Sequence, residues 1–366
     1  MSLRETLVKL ALKRYKIAKN PVASEFESVC FLSNTAIGDT LFNTPFFREF
    51  KRLFPHKKAI AVFDPSNASL FETNPYLDEI IRYDGRWNGF FAAVKALKKA
   101  APDVCLILHS NEPQATPLAV FAGAKYIYKI PDFGSDFARW HSNEPMKYGE
   151  IDYVPLKKLE YMRFLGAEAS GDTRLELFLK GDEFAAARTA IEYDSNLKYV
   201  GIQMGASTVH KQWFLESWIT LGKKLLADGC VKIVLTGSPS ERGMAEELER
   251  ALGSERVLNM AGKMNLRGSA ALVGCLDLLI TPDTGPLHVA AALGVPTVCF
   301  FGPTPSKGAN PNFDVEIHKF IQKPKTCEPC ISKKCKNPKC MLQITPEDVY
   351  AMARELLDNS NLKGEA

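Results

Sequence analysis

The chain has 366 residues, of which 46% are hydrophobic and 24% charged, and its formal net charge at pH 7 is +4. This composition is typical of a globular protein of about two domains and excludes a disordered or fibrous chain. The charge is small, and no basic run is interleaved with stacking aromatic residues, which excludes a typical nucleic-acid-binding protein. No apolar stretch approaches the length that crosses a membrane.

The N-terminal segment, residues 1–20, carries six basic side chains against one acidic side chain. Leu3, Leu7, Leu10 and Leu12 form a rough helical stripe along it. Two interpretations stay open: the segment rests on an anionic membrane surface, or it is a solvated helix with a few packed leucines. Its apolar stretch is too short for a cleavable signal peptide.

Hydrophobic strands and amphipathic helices alternate along both halves of the chain. The strands predicted in the first half span residues 28–32, 58–63, 79–83, 104–108 and 126–130. The helices predicted there span residues 40–54, 90–99, 114–122 and 154–165. In the second half, the predicted strands are 199–203, 231–236, 257–259, 278–280 and 297–301, and the predicted helices are 213–226, 241–252, 266–274 and one that begins near residue 285. This alternation predicts an α/β fold with two parallel sheets, each covered by helices.

Composition predicts four parts of the chain. A basic N-terminal extension (residues 1–25) precedes one Rossmann-like domain (residues 26–175). A second Rossmann-like domain (residues 176–345) is followed by a C-terminal helix and tail (residues 346–366). We expect the two Rossmann-like halves to face each other across a cleft, where ligands usually bind.

Five cysteines lie in apolar stretches, which predicts small buried side chains rather than a disulfide framework. They are Cys30, Cys105, Cys230, Cys275 and Cys299. This usage favours a reducing, cytoplasmic setting.

Asp39 follows Gly38 in the turn between the first predicted strand and its helix. The carboxyl end of a strand in a parallel sheet faces the ligand-binding edge, so this carboxylate is a candidate catalytic group. The alternative is that it stabilises the start of the helix by its charge or by capping.

Ser207, Thr208 and Lys211 occupy the turn after the strand at residues 199–203. Two hydroxyl groups and an ammonium suit a diphosphate, although a loop lysine is often only solvated. Met264, just before a predicted helix, provides either an apolar wall for a nucleobase or an ordinary core side chain.

Asp283, Thr284 and Gly285 form a sharp turn between a buried strand and a helix, and His288 follows one turn into that helix. Thr284 is the predicted N-cap, and Pro286 suits the first turn because it lacks an N–H. Free backbone N–H groups at a helix start favour an anion, most often a phosphate. The alternative is an ordinary strand–helix corner with a partly buried histidine.

Four cysteines, Cys327, Cys330, Cys335 and Cys340, form a C-x2-C-x4-C-x4-C pattern among six lysines. Four thiols in so short a segment can close a tetrahedral zinc site, although the spacing differs from that of a zinc ribbon. Free thiols or local disulfides are the alternatives.

Four motifs occur in an order that resembles the family-nine glycosyltransferases, the ADP-heptose:lipopolysaccharide heptosyltransferases. They are Gly38-Asp39 with Pro45 and Pro55 after it, Lys211-x-Trp213, Asp283-Thr284-Gly285-x-x-His288-x-Ala290, and Pro296 followed by Phe301-Gly302-Pro303-Thr304. The cysteine cluster and the Cys340-Met341 pair resemble the heptosyltransferase II branch. The resemblance covers residues 28–356.

The resemblance implies a GT-B fold, in which the C-terminal half binds the nucleotide sugar and the N-terminal half binds the acceptor. It implies inverting transfer of a heptose from ADP-heptose to the inner core of lipopolysaccharide, with no metal required for the chemistry. The implied partners are an ADP-sugar and a lipid-linked acidic saccharide. The implied location is the cytoplasm, with peripheral contact to the inner membrane.

The resemblance also implies roles for individual residues. Asp39 is the expected base, and Lys211 stabilises the leaving diphosphate together with Ser207 and Thr208. The residues expected to hold the donor phosphate, sugar and adenine are Asp283, Thr284, Gly285, His288 and Met264. Arg82 and Arg86 are candidates for acceptor binding, or equally are solvated surface charges. Three alternative functions stay open: transfer of another ADP- or UDP-sugar, a GT-B nucleotide-sugar epimerase, and a non-catalytic nucleotide-sugar-binding protein.

Overall fold

A computed structural model describes residues 3–23, 25–130, 135–147, 153–302, 305–324, 327, 334–335 and 338–360. The chain divides into two compact units, Met1–Phe178 and Leu179–Ala366. The division lies three residues after the expected domain limit at residue 175. Among the described residues, no helix is long and apolar enough to span a bilayer.

The first unit is built on a five-stranded parallel sheet with the strand order β3-β2-β1-β4-β5. Its strands are β1 (Ser28–Ser33), β2 (Lys58–Phe63), β3 (Glu79–Arg82), β4 (Val104–Ile107) and β5 (Tyr126–Lys129). Its helices are α1 (Leu3–Leu12), α2 (Ile37–Leu41), α3 (Thr44–Leu53), α4 (Phe90–Ala100), α5 (Ala115–Ala122) and α6 (Val154–Leu159). The predicted strands are confirmed, because their apolar side chains are buried within the sheet.

The single helix predicted over residues 40–54 is wrong, since the chain bends between α2 and α3. The side chain of Asn43 lies fully buried at the bend and donates to Ser33 Oγ at 2.8 Å and to the backbone oxygen of Asp39 at 3.0 Å. Pro45, in the first turn of α3, has no N–H to continue the helical ladder across the bend. The hydrophobic periodicity runs through both helices, so it did not reveal the break.

Aromatic side chains fill one side of the first sheet. Phe31 on β1 contacts Phe46, Phe47 and Phe50 of α3, with ring centroids 5.2 to 5.5 Å apart. All four rings are fully buried. Each such burial contributes about 1.5–3 kcal/mol relative to exposure, which fixes α3 against the strand that carries the Asp39 turn.

The basic N-terminal extension packs on the first unit through α1. Leu12 is buried, and its carbonyl accepts a hydrogen bond from Trp140 Nε1 at 3.0 Å. Lys9 forms an ion pair with Asp136 at 2.7 Å. Leu7 and Leu10 are 57% and 60% exposed, so α1 is a packed helix that also presents two leucines to the surface.

The second unit is built on a six-stranded parallel sheet with the strand order β11-β10-β9-β6-β7-β8. Its strands are β6 (Lys198–Gln203), β7 (Val231–Thr236), β8 (Val257–Asn259), β9 (Leu278–Pro282), β10 (Thr297–Phe301) and β11 (His318–Gln322). Its helices are α7 (Gly181–Ala190), α8 (Leu215–Leu226), α9 (Arg242–Leu252), α10 (Leu266–Val273), α11 (Gly285–Ala292), α12 (Lys339–Leu342) and α13 (Pro346–Ser360). The edge strand β11 and the helix α7 had not been predicted.

The C-terminal helix, α13, contributes to the core of the second unit. Val349 and Ala353 are fully buried with Trp218 and Phe300 in one hydrophobic cluster. Trp213 was predicted to begin a helix, but it precedes α8, and its Nε1 donates to the Ile344 carbonyl at 3.1 Å. The indole therefore connects the segment before α13, through this hydrogen bond, to the sheet on which the ring packs.

Four of the five cysteines predicted to be buried are buried, namely Cys30, Cys105, Cys275 and Cys299. The prediction for Cys230 is wrong, since this residue is exposed. It lies in the turn before β7, where its N–H donates to Asp228 Oδ1 at 3.0 Å, so the apolar run begins one residue later than expected.

Candidate active site

Each sheet has one point at which the order of its strands reverses along the chain. In the first unit this point lies between β1 and β4, and in the second unit it lies between β6 and β9. Parallel α/β sheets bind ligands at the carboxyl ends of such strand pairs. Of the predicted residues, Asp283 follows β9 directly, Asp39 lies in the first turn of α2 after β1, and Lys211 ends a short 3-10 helix after β6.

In the first unit, Asp39 forms a small polar cluster with Thr35 and His109. Thr35 Oγ1 lies 3.1 Å from Asp39 Oδ2 and 2.6 Å from His109 Nδ1. The distance between Asp39 Oδ2 and His109 Nδ1 is 3.4 Å. A hydroxyl has one proton to donate, and an ionised carboxylate can only accept. Donation from Thr35 to Asp39 therefore requires His109 to donate from Nδ1 to Thr35.

The sequence did not single out His109, although it lies just after the apolar strand β4, at the carboxyl end of the strand. Burial lowers the pKa of His109 below its ordinary value, and the charge of Asp39 opposes this shift. The neutral form of the imidazole is thus favoured at pH 7. In the tautomer required by Thr35, Nε2 is the acceptor.

A layer of buried polar side chains holds the turn that carries Asp39. Thr40 Oγ1 lies 3.2 Å from the Ala36 carbonyl, and Asn67 Nδ2 donates to the Thr35 carbonyl at 2.8 Å. Both side chains are fully buried. With Asn43 below them, they fix the backbone on both sides of Asp39, so the carboxylate has a defined position.

In the second unit, Lys211 and Asp283 form a close ion pair. Lys211 Nζ lies 2.5 Å from Asp283 Oδ2, and the two side chains are 21% and 9% exposed. Lys211 ends a short 3-10 helix after β6, and Asp283 follows β9, so the pair joins the two strands at the reversal point. The structure thus brings together two of the predicted donor-binding residues.

The start of α11 lies directly after this ion pair. Thr284 occupies the N-cap position and Pro286 the first turn, as predicted, but the Thr284 side chain makes no capping hydrogen bond, which corrects the predicted side-chain cap. Gly285 is the first residue of the helix, and His288 is 4% exposed one turn later. In this first turn Pro286 has no N–H and the Leu287 N–H donates to the Thr284 carbonyl at 3.1 Å, which leaves the Gly285 N–H and the positive end of the helix for an anion next to Lys211.

The remaining predicted donor residues lie on the same edge of the second sheet. Ser207 is exposed, and Thr208 Oγ1 lies 3.5 Å from His210 Nε2. Met264 is half-buried between β8 and α10. Pro303 and Thr304, which belong to the last of the four motifs, lie outside the described residues. These residues stay predictions as ligand contacts.

Glu241 is a second side chain that the sequence did not reveal. Its Oε2 accepts the Ser238 N–H at 2.6 Å, and its Oε1 accepts from Gln203 Nε2 at 3.2 Å. A Cβ atom on Gly205 would lie 1.5 Å from Glu241 Oε1, so any larger residue there would require this carboxylate to move. The capping pattern Ser238-x-x-Glu241 was the available sequence signal.

Arg82 and Arg86 lie at the opposite edge of the first sheet from β5, on and just after β3. Arg82 forms an ion pair with Glu72, and Arg86 Nε lies 3.8 Å from Asp84 Oδ2. Both arginines are largely exposed. This placement fits surface charges at least as well as acceptor binding, and the latter stays a prediction.

The predicted zinc ligands lie partly outside the described residues, since Cys330 is among those not described. Cys327 is exposed, and Cys335 and Cys340 are half-buried. Within the described part of the chain, no group of three or more His, Cys, Asp or Glu side chains is arranged to hold a metal ion. Zinc binding at this cluster stays a prediction.

Comparison with known proteins relates the chain to one enzyme family. The model of glycosyltransferase family 9 (heptosyltransferase) matches residues 163–341. A lipooligosaccharide heptosyltransferase 2 of Campylobacter jejuni is 31% identical over 170 residues, which cover 45% of this chain and 53% of that protein. The lipopolysaccharide core heptosyltransferase OpsX of Haemophilus influenzae is 23% identical over 277 residues, which cover 74% of this chain and 78% of that protein. The chain thus matches only about half the length of the Campylobacter protein.

The fold has a counterpart among solved structures. The structure of the Escherichia coli ADP-heptose lipopolysaccharide heptosyltransferase II superposes with a TM-score of 0.76 at 19% identity, covering 93% of this chain and 100% of that chain. A sequence identity this low shows that the two proteins share a fold and shows nothing about their functions. The predicted GT-B fold, with two Rossmann-like units each built on a parallel sheet, is confirmed.

Proposed function

The chain belongs to glycosyltransferase family 9, and from this we propose that it is an inverting glycosyltransferase that moves a heptose from ADP-heptose to the inner core of lipopolysaccharide. The observation that carries the proposal is the ion pair of Lys211 and Asp283 beside the start of α11. It combines an ammonium, a carboxylate and the positive end of a helix at the reversal point of a parallel sheet. A sugar diphosphate needs donors for its phosphates and acceptors for its hydroxyl groups.

In the proposed complex, the second unit binds the donor. Lys211, Ser207 and Thr208 donate to the diphosphate, together with the Gly285 N–H at the start of α11. Asp283 holds Lys211 in place and accepts from sugar hydroxyl groups, and His288 donates to a phosphate. Thr284 and Gly285 line the same turn, and Met264 packs against the adenine. Glu241 is placed to accept from ribose hydroxyl groups, a role that acidic residues serve in other Rossmann-like folds.

Asp39 of the first unit acts as the base. It takes the proton from an acceptor hydroxyl group while that oxygen attacks the anomeric carbon of the donor sugar. The bond from this carbon to the diphosphate oxygen breaks, ADP leaves with the electron pair, and the anomeric configuration inverts. Lys211 and the start of α11 stabilise the negative charge that develops on the diphosphate. The chemistry as proposed uses no metal ion.

The proposed acceptor is a lipid-linked acidic saccharide, and we propose a cytoplasmic location with peripheral contact to the inner membrane. Exposed Leu7 and Leu10 on α1, among basic side chains, support this contact. Anionic phospholipid vesicles should sediment the wild-type protein, and a Leu7→Ser, Leu10→Ser double variant should stay in the supernatant. Equal sedimentation of both proteins would leave the contact without support.

A structural zinc ion at Cys327, Cys330, Cys335 and Cys340 is a separate part of the proposal. Protein purified without chelators should contain close to one zinc ion per chain by elemental analysis, and serine substitution of the four cysteines should remove it. Metal-free wild-type protein with full activity would end the zinc hypothesis without affecting the proposed transfer.

The decisive experiment uses an Asp39→Asn variant and measures transfer and donor binding separately. Transfer should fall by about 10²–10⁴-fold, the usual contribution of a positioned base. Binding of ADP-heptose, measured by calorimetry, should stay within about threefold, because the substituted residue does not contact the donor in the proposal. Asp136→Asn is the matched control, since that carboxylate is 71% exposed and forms a surface ion pair with Lys9.

Three outcomes separate the alternatives. Normal transfer by Asp39→Asn would refute the assigned base. Donor binding without transfer across a panel of core acceptors would favour a binding protein, and release of ADP or an altered sugar without any acceptor would favour an epimerase. A thermal-shift screen of ADP- and UDP-sugars identifies the donor, because a ligand bound to the folded state raises the melting temperature.

A further inference from the structure

A pocket of about 350 Å³ opens at the carboxyl ends of β4 and β5 in the first unit. Three lysines, Lys129, Lys157 and Lys158, line it together with the neutral imidazole of His109, and none of the described residues in its wall is an aspartate or glutamate. Its volume is in the range of pockets that bind small ligands. A lining rich in lysine at the carboxyl ends of parallel strands favours an anionic ligand.

Lys158 is the most unusual of these side chains. It is 5% exposed, and its ammonium donates to the carbonyl of Leu108. Among the described residues this carbonyl is its one hydrogen-bond partner, and no carboxylate forms an ion pair with it. By contrast, Lys129 in the same pocket pairs with Glu112 at 2.7 Å.

A buried ammonium without a counter-ion is costly, because it loses hydration and gains little in exchange. The ammonium has three N–H donors, so two are left for a ligand. Burial lowers the pKa of Lys158 to about 8, and the nearby charge of Asp39 opposes this shift. The group is therefore still mostly charged at pH 7 and would gain most from an anion that reaches it.

The pocket lies next to the proposed base. His109 forms part of its wall, and His109 Nδ1 lies 3.4 Å from Asp39 Oδ2. A saccharide whose anionic group enters the pocket would therefore have its hydroxyl groups close to Asp39. Arg82 and Arg86 do not line this pocket, and each already lies next to a carboxylate.

We propose that this pocket binds an oxyanion group of the acceptor saccharide, a phosphate or a carboxylate, with Lys158 as its principal ligand and Lys157 and His109 beside it. The inference rests on the proposed function for the identity of the acceptor. The binding site itself can be tested without any transfer activity.

The test follows imidazole signals by NMR in full-length protein that carries ¹³C-labelled histidine. The chain has six histidines, so their signals can be assigned one by one by substitution. Titration with inorganic phosphate, and separately with acetate, should shift the His109 signal saturably. Lys158→Met should weaken this binding by about tenfold or more, the expected loss for a charged hydrogen bond. Lys98→Met, at an exposed position of α4, should leave it unchanged.

The outcomes distinguish this inference from the proposed function. A phosphate response stronger than the acetate response assigns a phosphate group, the reverse assigns a carboxylate, and either supports the pocket. If both ions leave the His109 signal of the wild-type protein unmoved, or move only His288 in the second unit, the inference is overturned even when transfer is normal. In the transfer assay, Lys158→Met should raise KM for the acceptor by about tenfold and leave KM for the donor unchanged.

Discussion

Both units place an aspartate beside the reversal point of a parallel sheet but surround it differently. Asp39 after β1 contacts a threonine hydroxyl and a histidine whose pKa burial lowers, whereas Asp283 after β9 contacts the ammonium of Lys211 at 2.5 Å. An ammonium occupies one oxygen of Asp283, whereas Asp39 contacts a neutral hydroxyl and a histidine whose neutral form is favoured. The difference favours a base in the first unit and an electrostatic anchor in the second.

The lysines show the opposite contrast. Lys211 in the second unit has a carboxylate partner in the free protein, and Lys158 in the first unit has a carbonyl. The carboxylate partner holds the ammonium of Lys211 in a fixed position, so that it can stabilise the negative charge that develops on a leaving group. A buried lysine without a counter-ion instead gains most from a ligand that brings its own charge.

Removing the ammonium in the second unit should have the largest effect. Lys211→Met should lower the transfer rate by about a hundredfold or more, because it removes one donor to the developing charge. It should also weaken ADP binding, since Asp283 is then left unpaired beside the diphosphate. Steady-state kinetics and calorimetry with ADP measure the two effects, and Lys223→Met, an exposed lysine of α8 in the same unit, is the control. Transfer unchanged within about threefold would contradict the proposed role.

In the second unit, Glu241 contacts the turn after β6 that leads to Lys211. The variant Gly205→Ala tests how much this contact stabilises the protein. The added Cβ would meet Glu241 Oε1 at 1.5 Å, so the carboxylate must leave its partners Gln203 and Ser238. We expect a loss of about 0.5–1.5 kcal/mol in the free energy of unfolding, the net value of an intramolecular hydrogen bond, because Glu241 is only half-buried and Ser238 is exposed. Urea denaturation measures it.

The matched control for this substitution is Gly243→Ala in α9, where an added Cβ meets nothing within 4 Å. That change should be neutral or slightly stabilising, because alanine favours helix more than glycine does. Adding Glu241→Ala to Gly205→Ala should restore part of the lost stability. A Gly205→Ala variant as stable as Gly243→Ala would show that the glycine is not required.

Alternating apolar strands and amphipathic helices made the two sheets predictable, because their strands are buried on both faces. The edge strand β11 escaped prediction, since Lys319 is half-buried and Phe320 is exposed, so its residues do not alternate between apolar buried and polar exposed. The α2–α3 break depends on a hydrogen bond from Asn43 to Ser33, ten residues away, which periodicity does not report.

The candidate site was predictable where a motif marked it and not where distant segments meet. Asp39, Lys211 and Asp283 stand in turns with recognisable motifs. Lys158 looks like one of two neighbouring surface lysines on a helix, and only the fold buries it under the Leu108 carbonyl. His109 has a local signal, its place at the end of β4, but its contact with Thr35 joins residues 74 positions apart.

Thr35, which lies between Asp39 and His109 in the first unit, allows a test with a smaller expected effect. Thr35→Val removes the hydroxyl that lies between Asp39 and His109 and keeps a similar shape. We expect kcat to fall by about tenfold or less, since the base stays present but loses a hydrogen bond that orients it. Thr35→Ser should retain most of the rate. A pH profile of kcat unchanged in Thr35→Val would show that the hydroxyl has no influence on the base.

The last and smallest effect concerns Lys158 and stability. Its pKa is about 8 in the folded chain and about 10.5 in the unfolded chain, so the unfolded state binds more protons between these values. The folded wild type should therefore gain stability relative to Lys158→Met as pH rises through 8, by about 1 kcal/mol between pH 7 and pH 9, and keep a constant deficit below pH 7. Urea unfolding at several pH values measures this difference, and Lys98→Met corrects for the loss of one positive charge. A difference that stays flat with pH would mean that the Lys158 ammonium is solvated or paired, which would remove the contrast with Lys211.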